Sequence, residues 1–509
     1  MFPSRQLHGI RNPPLAFSYH YPQPYRVGGK TTKKHLMAGM FLACALIAMS
    51  GGCKGERQAV LFDATHPVSL SLWTYYSGKQ LDSFNDLVRT FNEGKGRKLG
   101  IQVEVSSPGS LNDLQDALIA SAQKKVGSSE IPNMFATYPD IARTMDAMGD
   151  IVDLSPYLTE EEKQSYIEGY ISEGAIGKPG ELKVFPFVKA TEVMVLDETD
   201  WSKFATATGA KTSDFSTIEG LVDVARRYYE WTDGLTETPD DGKAFFGRDA
   251  MANYLIIGAM QLGMEIIRQN PDGSCDLTFD ERIVRKLWDN FYVPYINGYF
   301  ASMGRFRSDD MKTGNIIAYV GSSSGVAFAP SKVTLEDGST YPITTQVFQA
   351  PAFGGGQTVA VQQGAGIAVT KASEAEIQAS VEFLKWFTQP EQNMRFAMSV
   401  GYMPVTKGAM RMEELPDVQA TPLILETLKV SMETALTHEM YTPKPVENGT
   451  KIRQILEESL SGEAVDDLHR IAELEKSGLS RRDAVARFDT DEHFHAWYAK
   501  TLQELEALI

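Results

Sequence analysis

Residues 183–197, KVFPFVKATEVMVLD, decide how this chain folds. Val184, Phe185 and Phe187 make a short apolar run. Lys189, Thr191 and Glu192 interrupt it, and Val193, Met194, Val195 and Leu196 resume it. Runs this short and this rich in Val and Phe favour extended backbone over helix. Pro186 withholds a ladder donor and biases the residues before it toward extended geometry. The stretch therefore predicts two extended segments in two sheets, with Lys189-Ala190-Thr191-Glu192 exposed between them. A crossing of this kind between two lobes is where a ligand cleft would lie. The alternative is one sheet with a single polar bend.

On the N-terminal side, Val68–Trp73 (VSLSLW) alternates as a strand. Leu81, Phe84, Leu87, Val88 and Phe91 then form one helical stripe. Ile101, Val103 and Val105 give a second strand. Ser110 is placed to cap a helix carrying Leu111, Leu114, Leu118 and Ala122. Met134-Phe135-Ala136 is a third strand, and Tyr138-Pro139-Asp140 opens another helix. Three β-loop-α units predict a parallel sheet with covered faces. Ligands of such sheets meet the loops beyond the strands' carboxyl ends, which here hold Tyr75, Tyr76, Ser107, Ser110, Tyr138 and Asp140. Plain solvated loop residues are the alternative for each.

On the C-terminal side, residues 216–229 are amphipathic and residues 250–267 are apolar almost all round, as in a buried helix. Residues 316–320 read as a strand entering Gly321-Ser322-Ser323-Ser324-Gly325. Residues 346–350 and 358–362 read as extended. Ile377, Val381, Leu384 and Phe387 mark a helix stopped by Pro390, and Gly401-Tyr402-Met403-Pro404-Val405 is a second sharp crossing. The remainder, to Ile509, reads as mainly helical.

The length of 509 residues allows two or three domains, and 43% hydrophobic with 23% charged residues is the balance of a globular protein in water. The formal charge is −17, and residues 1–52 contain six basic residues and no acid, so the body is more acidic still. That excludes a nucleic-acid partner needing a basic face. Lys30, Lys33 and Lys34 precede an uncharged 14-residue run, then Ser50-Gly51-Gly52-Cys53. This is a signal-peptide pattern, too short for a membrane span. The small residues before Cys53 resemble a bacterial lipoprotein signal, with cleavage before Cys53 and lipid on its sulfur. Ser50 stands where that pattern has Leu, and a simply cleaved signal is the alternative. Residues 1–26 do not fit a signal peptide, so a translation start near Val27 is expected. Cys275 is left without an intramolecular partner, and no CxxC metal pattern exists.

Gly321-Ser322-Ser323-Ser324-Gly325 fits G-x-S-x-G after a strand, the nucleophile elbow of serine hydrolases. Ser323 would then need an acid and one of His438, His469, His493 or His495. No oxyanion motif of the HGGG type precedes it. The competing role is a small-residue loop whose hydroxyls and amides bind a polar or anionic ligand. His493-Phe494-His495 is the one close histidine pair, without an acid spaced to serve both rings, so no metal is expected. Lys189, Arg248, Arg305 and Arg307 are the basic residues nearest the candidate cleft loops.

Taken together, the chain resembles the extracellular solute-binding proteins of ABC importers, the group with maltose- and glycerol-3-phosphate-binding members. The likeness spans about residues 66–460. It is carried by Leu72-Trp73-Thr74-Tyr75, Phe91-Asn92-Glu93, Ile131-Pro132-Asn133-Met134-Phe135, Asp153-Leu154-Ser155-Pro156-Tyr157, Val184-Phe185-Pro186, Phe383-Leu384-Lys385-Trp386-Phe387 and Gly401-Tyr402-Met403-Pro404-Val405. The resemblance implies a two-lobed α/β periplasmic-binding-protein fold of type II, with discontinuous lobes joined by crossing hinge strands. It places hinges at 183–197 and near Thr345 to Val347 and Tyr402 to Pro404. The expected division is 1–52 signal region, 53–65 lipidated linker, 66–188 plus 346–402 first lobe, and 189–345 plus 403–509 second lobe. The glycerol-3-phosphate binders are the nearest likeness, implying substrate contacts at Ser322, Ser323, Ser324, Gly364 and Tyr402 and at Ala190–Thr191. Their arginine lies upstream of a stretch like Lys451-Ile452-Arg453, which falls here near Lys444-Pro445. The function expected is a non-enzymatic, lipid-anchored, monomeric capture protein outside the cytoplasm. It would hand a carbohydrate, polyol or glycerol-phosphate ester to a permease and use no cofactor. Tyr75, Tyr76 and Tyr402 would supply ring faces, Ser107, Thr191 and the serine loop neutral hydrogen bonds, and Lys189 or Arg248 a cation, with Tyr138 a further substrate contact. A serine hydrolase and a receptor for a signalling partner are the alternatives.

Overall fold

In Val68–Trp73 every second side chain turns inward, and Leu70 and Leu72 are buried. The strand pairs in parallel with Ile101–Ser106, from Val68 opposite Ile101 to Trp73 opposite Ser106, and on its other edge with Met134–Thr137. Gly366–Val369, from far along the chain, closes that edge antiparallel to Met134–Thr137. The coordinates are a computed structural model describing residues 62–270, 274–411 and 420–509. The signal region, Cys53 and most of the linker lie outside the described residues, as do residues 271–273.

Helices cover this sheet where the stripes predict them. Gly78–Phe91 buries Phe84, Leu87, Val88 and Phe91. Leu111–Ala122 begins with a capping box in which the Ser110 hydroxyl accepts from the Asp113 amide and the Asp113 carboxylate accepts from the Ser110 amide. Glu374–Phe387 packs Phe387 on Phe187 with ring centroids 3.8 Å apart.

The second sheet runs in the order Thr345–Gln349, Glu192–Asp197, Ala318–Ser322, Phe246–Arg248, with only the last pair parallel. Its core includes Trp201, Phe245, Tyr254, Trp288 and Tyr292, together with Leu456, Leu460 and Trp497 from the C-terminal helices Gly449–Lys476 and Asp491–Glu506. The apolar stretch at 250–267 is a buried helix over Met251–Gln261.

The crossing itself differs from expectation. Lys189, Ala190 and Thr191 are 1%, 1% and 0% exposed and Glu192 is also buried, so this tetrad is not an exposed bend. Two other passages of the chain flank it: Lys189 bridges Met403 and Ala190 bridges Gln363, both antiparallel. Backbone bonds between these passages take up the polar groups of the main chain, so burial leaves them satisfied. The second passage is at 361–363, not 345–347. Thr345–Gln349 stays in the second sheet against Glu192–Asp197, and Val359–Val361 pairs with Glu439–Tyr441 before the chain enters the first lobe. The return at Tyr402 also comes later than expected. Met403, Val405 and Met410 pack in the first core, and Pro422–Thr437 then lies over Thr345–Gln349.

Candidate functional site

A cavity of about 440 Å³ lies between the lobes, over the crossing strands. The first lobe contributes Asn112, Gln115, Tyr138 and Asp140. The second contributes Asn253, Ile256, Lys444 and Arg453, and Gln362 and Gln363 come from the passage between them. Three helices line it with their first two residues: Leu111–Ala122, Pro139–Ala147 and Gly449–Lys476. Helix N-termini carry partial positive charge, so their convergence favours electron-rich or anionic groups. Asp140 opposes this, and burial raises its pKa despite Arg453 and then Arg143 nearby.

Polar networks fix the walls. Arg453 donates to Asn253 Oδ1 at 2.7 Å, Asn253 Nδ2 donates to Glu192 at 2.8 Å, and Arg248 donates to the other Glu192 oxygen at 2.7 Å. On the opposite side Lys189 pairs with Glu173 and donates to the Gly364 carbonyl at 3.0 Å. Gln362 Nε2 donates to Glu173 and to the Gly169 carbonyl, which fixes the orientation of its amide. Each of these side chains is held by a hydrogen-bonded partner of opposite charge or by an amide.

Beside the cavity the chain gathers tyrosines. Burial, then the neighbouring Tyr138 and Tyr402, holds the Tyr75 phenol well above its ordinary value, and burial chiefly pushes Tyr138 up to about 12. These phenols therefore stay neutral hydrogen-bonding groups. Tyr402 also meets the Ser324 side chain and stacks on Phe396 at 6.0 Å. Tyr76 is core, packed edge-on to Phe84.

Of the positions proposed from sequence, Tyr138 lines the cavity, and Tyr75, Tyr402, Ser324 and Gly364 adjoin it through Tyr138. Ser107 is turned to the loop after Val68–Trp73, donating to the Tyr76 carbonyl at 2.9 Å. Lys189 and Arg248 are both committed to buried ion pairs. Thr191 donates to the Val361 carbonyl at 2.8 Å, and Thr191 and Arg248 line a cavity of about 40 Å³, too small for a solute. Ser322 and Ser324 hydroxyls lie 3.0 Å apart. Ser323 is 0% exposed and faces the Thr191 amide, and the segment after the strand is a 3₁₀ turn, Ser323–Phe328, rather than the α-helix of a nucleophile elbow. His438 lies against Thr437, His493 against Asp467 and His495 against Glu281, and no hydrogen bond joins a histidine to Ser323 among the described residues. Sequence reasoning passed over Asn112, Gln115, Asn253, Gln362, Gln363 and Arg453. Asn112 and Asn253 stand in the first turns of their helices, Gln115 and Arg453 one turn further in, and Gln362 and Gln363 at a crossing, and none of these places is marked by a local pattern.

Residues 86–426 match the family model described as bacterial extracellular solute-binding protein. A comparison with curated protein sequences finds no match. Among solved structures the fold is similar to the cyclic alpha-maltosyl-1,6-maltose binding protein of Arthrobacter globiformis, with TM-score 0.60 and 17% identity over 85% of this chain and 100% of that one. It is also similar to UgpB of Mycobacterium tuberculosis in complex with glycerophosphocholine, at 0.61 and 12% over 87% and 100%. An ABC substrate-binding protein of Listeria monocytogenes in complex with cycloalternan gives 0.59 and 16% over 86% and 99%. A family match across two thirds of the chain, on two lobes joined by three crossing passages with a cleft between them, leaves one conclusion: the chain belongs to the bacterial extracellular solute-binding proteins.

Proposed function

We propose that this protein captures a small polar solute in the interlobe cavity for an ABC importer. The observation that carries this is the cavity's shared lining, polar groups of both lobes meeting over three crossing passages. Such an arrangement lets a solute favour the closed state by touching both lobes at once. The neighbouring structures are of proteins that bind maltose-type sugars, cycloalternan and glycerophosphocholine, and those solutes are the natural panel.

Within that class we favour a solute bearing one anionic group among hydroxyls, as in a glycerol-phosphate ester. Three helix N-termini, Arg453 and the rim residue Lys444 face a single carboxylate, Asp140. A neutral oligosaccharide is the second reading, favoured by the tyrosine cluster beside the cavity, since rings and phenols suit sugar faces and hydroxyls. Calorimetry with glycerol 3-phosphate, glycerophosphocholine and maltotriose separates them. Binding of an ester that weakens with added salt supports the first, and salt-insensitive binding of maltotriose alone supports the second. Failure of all three, with no solute detected by mass spectrometry after denaturing freshly purified protein, overturns the capture role. We further propose that lipid on Cys53 tethers the protein to the envelope. Cys53→Ser should then appear in the soluble fraction, and its retention on the membrane would overturn the anchor.

A further inference from the structure

Far from the crossing strands, the C-terminal helices bring two carboxylates and an imidazole to one point. Glu463 and Asp467 are four residues apart on Gly449–Lys476 and so share a face. His493 lies in the first turn of Asp491–Glu506, which packs across them. Its Nε2 is 2.6 Å from Asp467 Oδ2 and 3.3 Å from Glu463 Oε1, and one ligand atom from each residue falls within 4.8 Å of the other two. We propose that Glu463, Asp467 and His493 form a site for a divalent transition ion of the Zn²⁺ class, clamping the last helix to the long one.

The donor set selects the ion. Imidazole with two carboxylates suits Zn²⁺ or a neighbouring first-row ion, whereas Mg²⁺ and Ca²⁺ require an all-oxygen set. Bonds of about 2.0–2.2 Å in tetrahedral geometry set ligand atoms about 3.3 Å apart. The Glu463–His493 separation already has that value, and the Asp467–His493 pair opens by about 0.7 Å when an ion replaces the shared proton. The supporting shell is in place. Tyr292 donates to Asp467 Oδ2 at 2.7 Å and Arg470 to Oδ1 at 2.9 Å, which fixes a fully buried carboxylate. Trp288, Tyr292 and Phe488 rings lie 5.9, 5.7 and 6.0 Å from the imidazole and hold its plane. The Glu463 and His493 side chains keep 25% and 21% exposure, which gives an ion its way in and water the fourth position. His495, two residues on, pairs with the exposed Glu281 and makes an internal control.

The test uses the purified protein, stripped with chelator and dialysed against ZnCl₂. Bound metal is counted by mass spectrometry and the melting temperature is followed. One equivalent of Zn²⁺ is expected, with a raised melting temperature that equimolar MgCl₂ and CaCl₂ do not give. Glu463→Gln keeps shape and sits at the partly exposed edge, so it should fold and bind at least tenfold more weakly. His493→Gln should lose the equivalent, and His495→Gln should keep it. Zinc held elsewhere on the surface is removed from the count by taking the difference between wild type and His493→Gln. An equal count in those two proteins overturns the proposal. So does Zn²⁺ taken up only at millimolar concentration, or lost in His495→Gln instead.

Discussion

Lys189 carries its charge where water does not reach it. It is 1% exposed, and its ammonium is held by the Glu173 carboxylate and the Gly364 carbonyl. Removing one partner of such a pair leaves a buried charge uncompensated, which costs about 3–5 kcal/mol. Glu173→Gln should therefore lower the unfolding free energy read from a denaturant curve by that much, and a loss below about 1 kcal/mol would mean that water reaches the pair. The sequence shows Lys189 only as one of three polar residues between apolar runs, and that pattern reads as exposed. What buries it is the approach of residues 363 and 403, which no local pattern encodes. Asp197 is a second residue set by its surroundings. Burial, then the nearby Asp200, raises its carboxyl to about 6, while amide bonds from Thr199 and Asp200 pull it down. In the unfolded chain it titrates near 3.8. Between those values the folded chain holds a proton that the unfolded chain has released, so stability falls as pH rises from about 4 to 6 and levels off above. Asp197→Asn keeps an oxygen for the helix cap and removes the titration. Its melting temperature should lose part of the decline seen in wild type across that window. An unchanged decline would assign the titration to another group.

At the scale of elements, the helical stripes and alternating strands of the first lobe were readable because each is a local, amphipathic pattern. The order of the second sheet was not. Residues 346–350 and 358–362 both read as extended, and period-two patterning does not say which sheet a strand joins. The second crossing therefore fell at 361–363 rather than at 345–347. Gly364 shows what holds the crossing together. Its φ is +93°, and a Cβ there would lie 2.8 Å from the Val188 carbonyl oxygen and 2.9 Å from Lys189 Cα. Both obstacles are backbone, so an alanine can be accommodated only by pushing two crossing passages apart. Gly364→Ala should cost about 1–3 kcal/mol in backbone strain alone, with the clash in addition. Gly180, at φ +88° with nothing within 4 Å of a Cβ, isolates the conformational part. Unfolding curves should show Gly364→Ala more damaged than Gly180→Ala. Equal losses would mean that the passages separate freely.

Across the whole molecule, the existence of a cleft at the crossing was legible, but most of its lining was not. Gln115 lies in a helix legible by its apolar stripe, and Arg453 lies beyond the last crossing, in a helix that turns its first residues back to the cavity. Placing them opposite each other needs the tertiary arrangement. The two positions give a test of capture by closure that no single-lobe change can give. Gln115→Ala removes a first-lobe group and Arg453→Gln a second-lobe charge, and both side chains lie at the cavity rather than in either core. Each should weaken binding of the identified solute by about 1–3 kcal/mol, or roughly ten- to a hundredfold, while leaving the melting temperature of the free protein nearly unchanged. Arg453→Gln should also flatten the salt dependence if the solute is anionic, because the screened partner of that charge is then gone. Small-angle scattering supplies the second readout. Wild type should contract when solute is added, and each variant should contract to the same extent once solute is raised enough to refill the site, since the closed state itself is intact. If affinity responds to Gln115→Ala or Arg453→Gln but not to both, and scattering shows no contraction, the solute is held by one lobe and capture by closure is wrong.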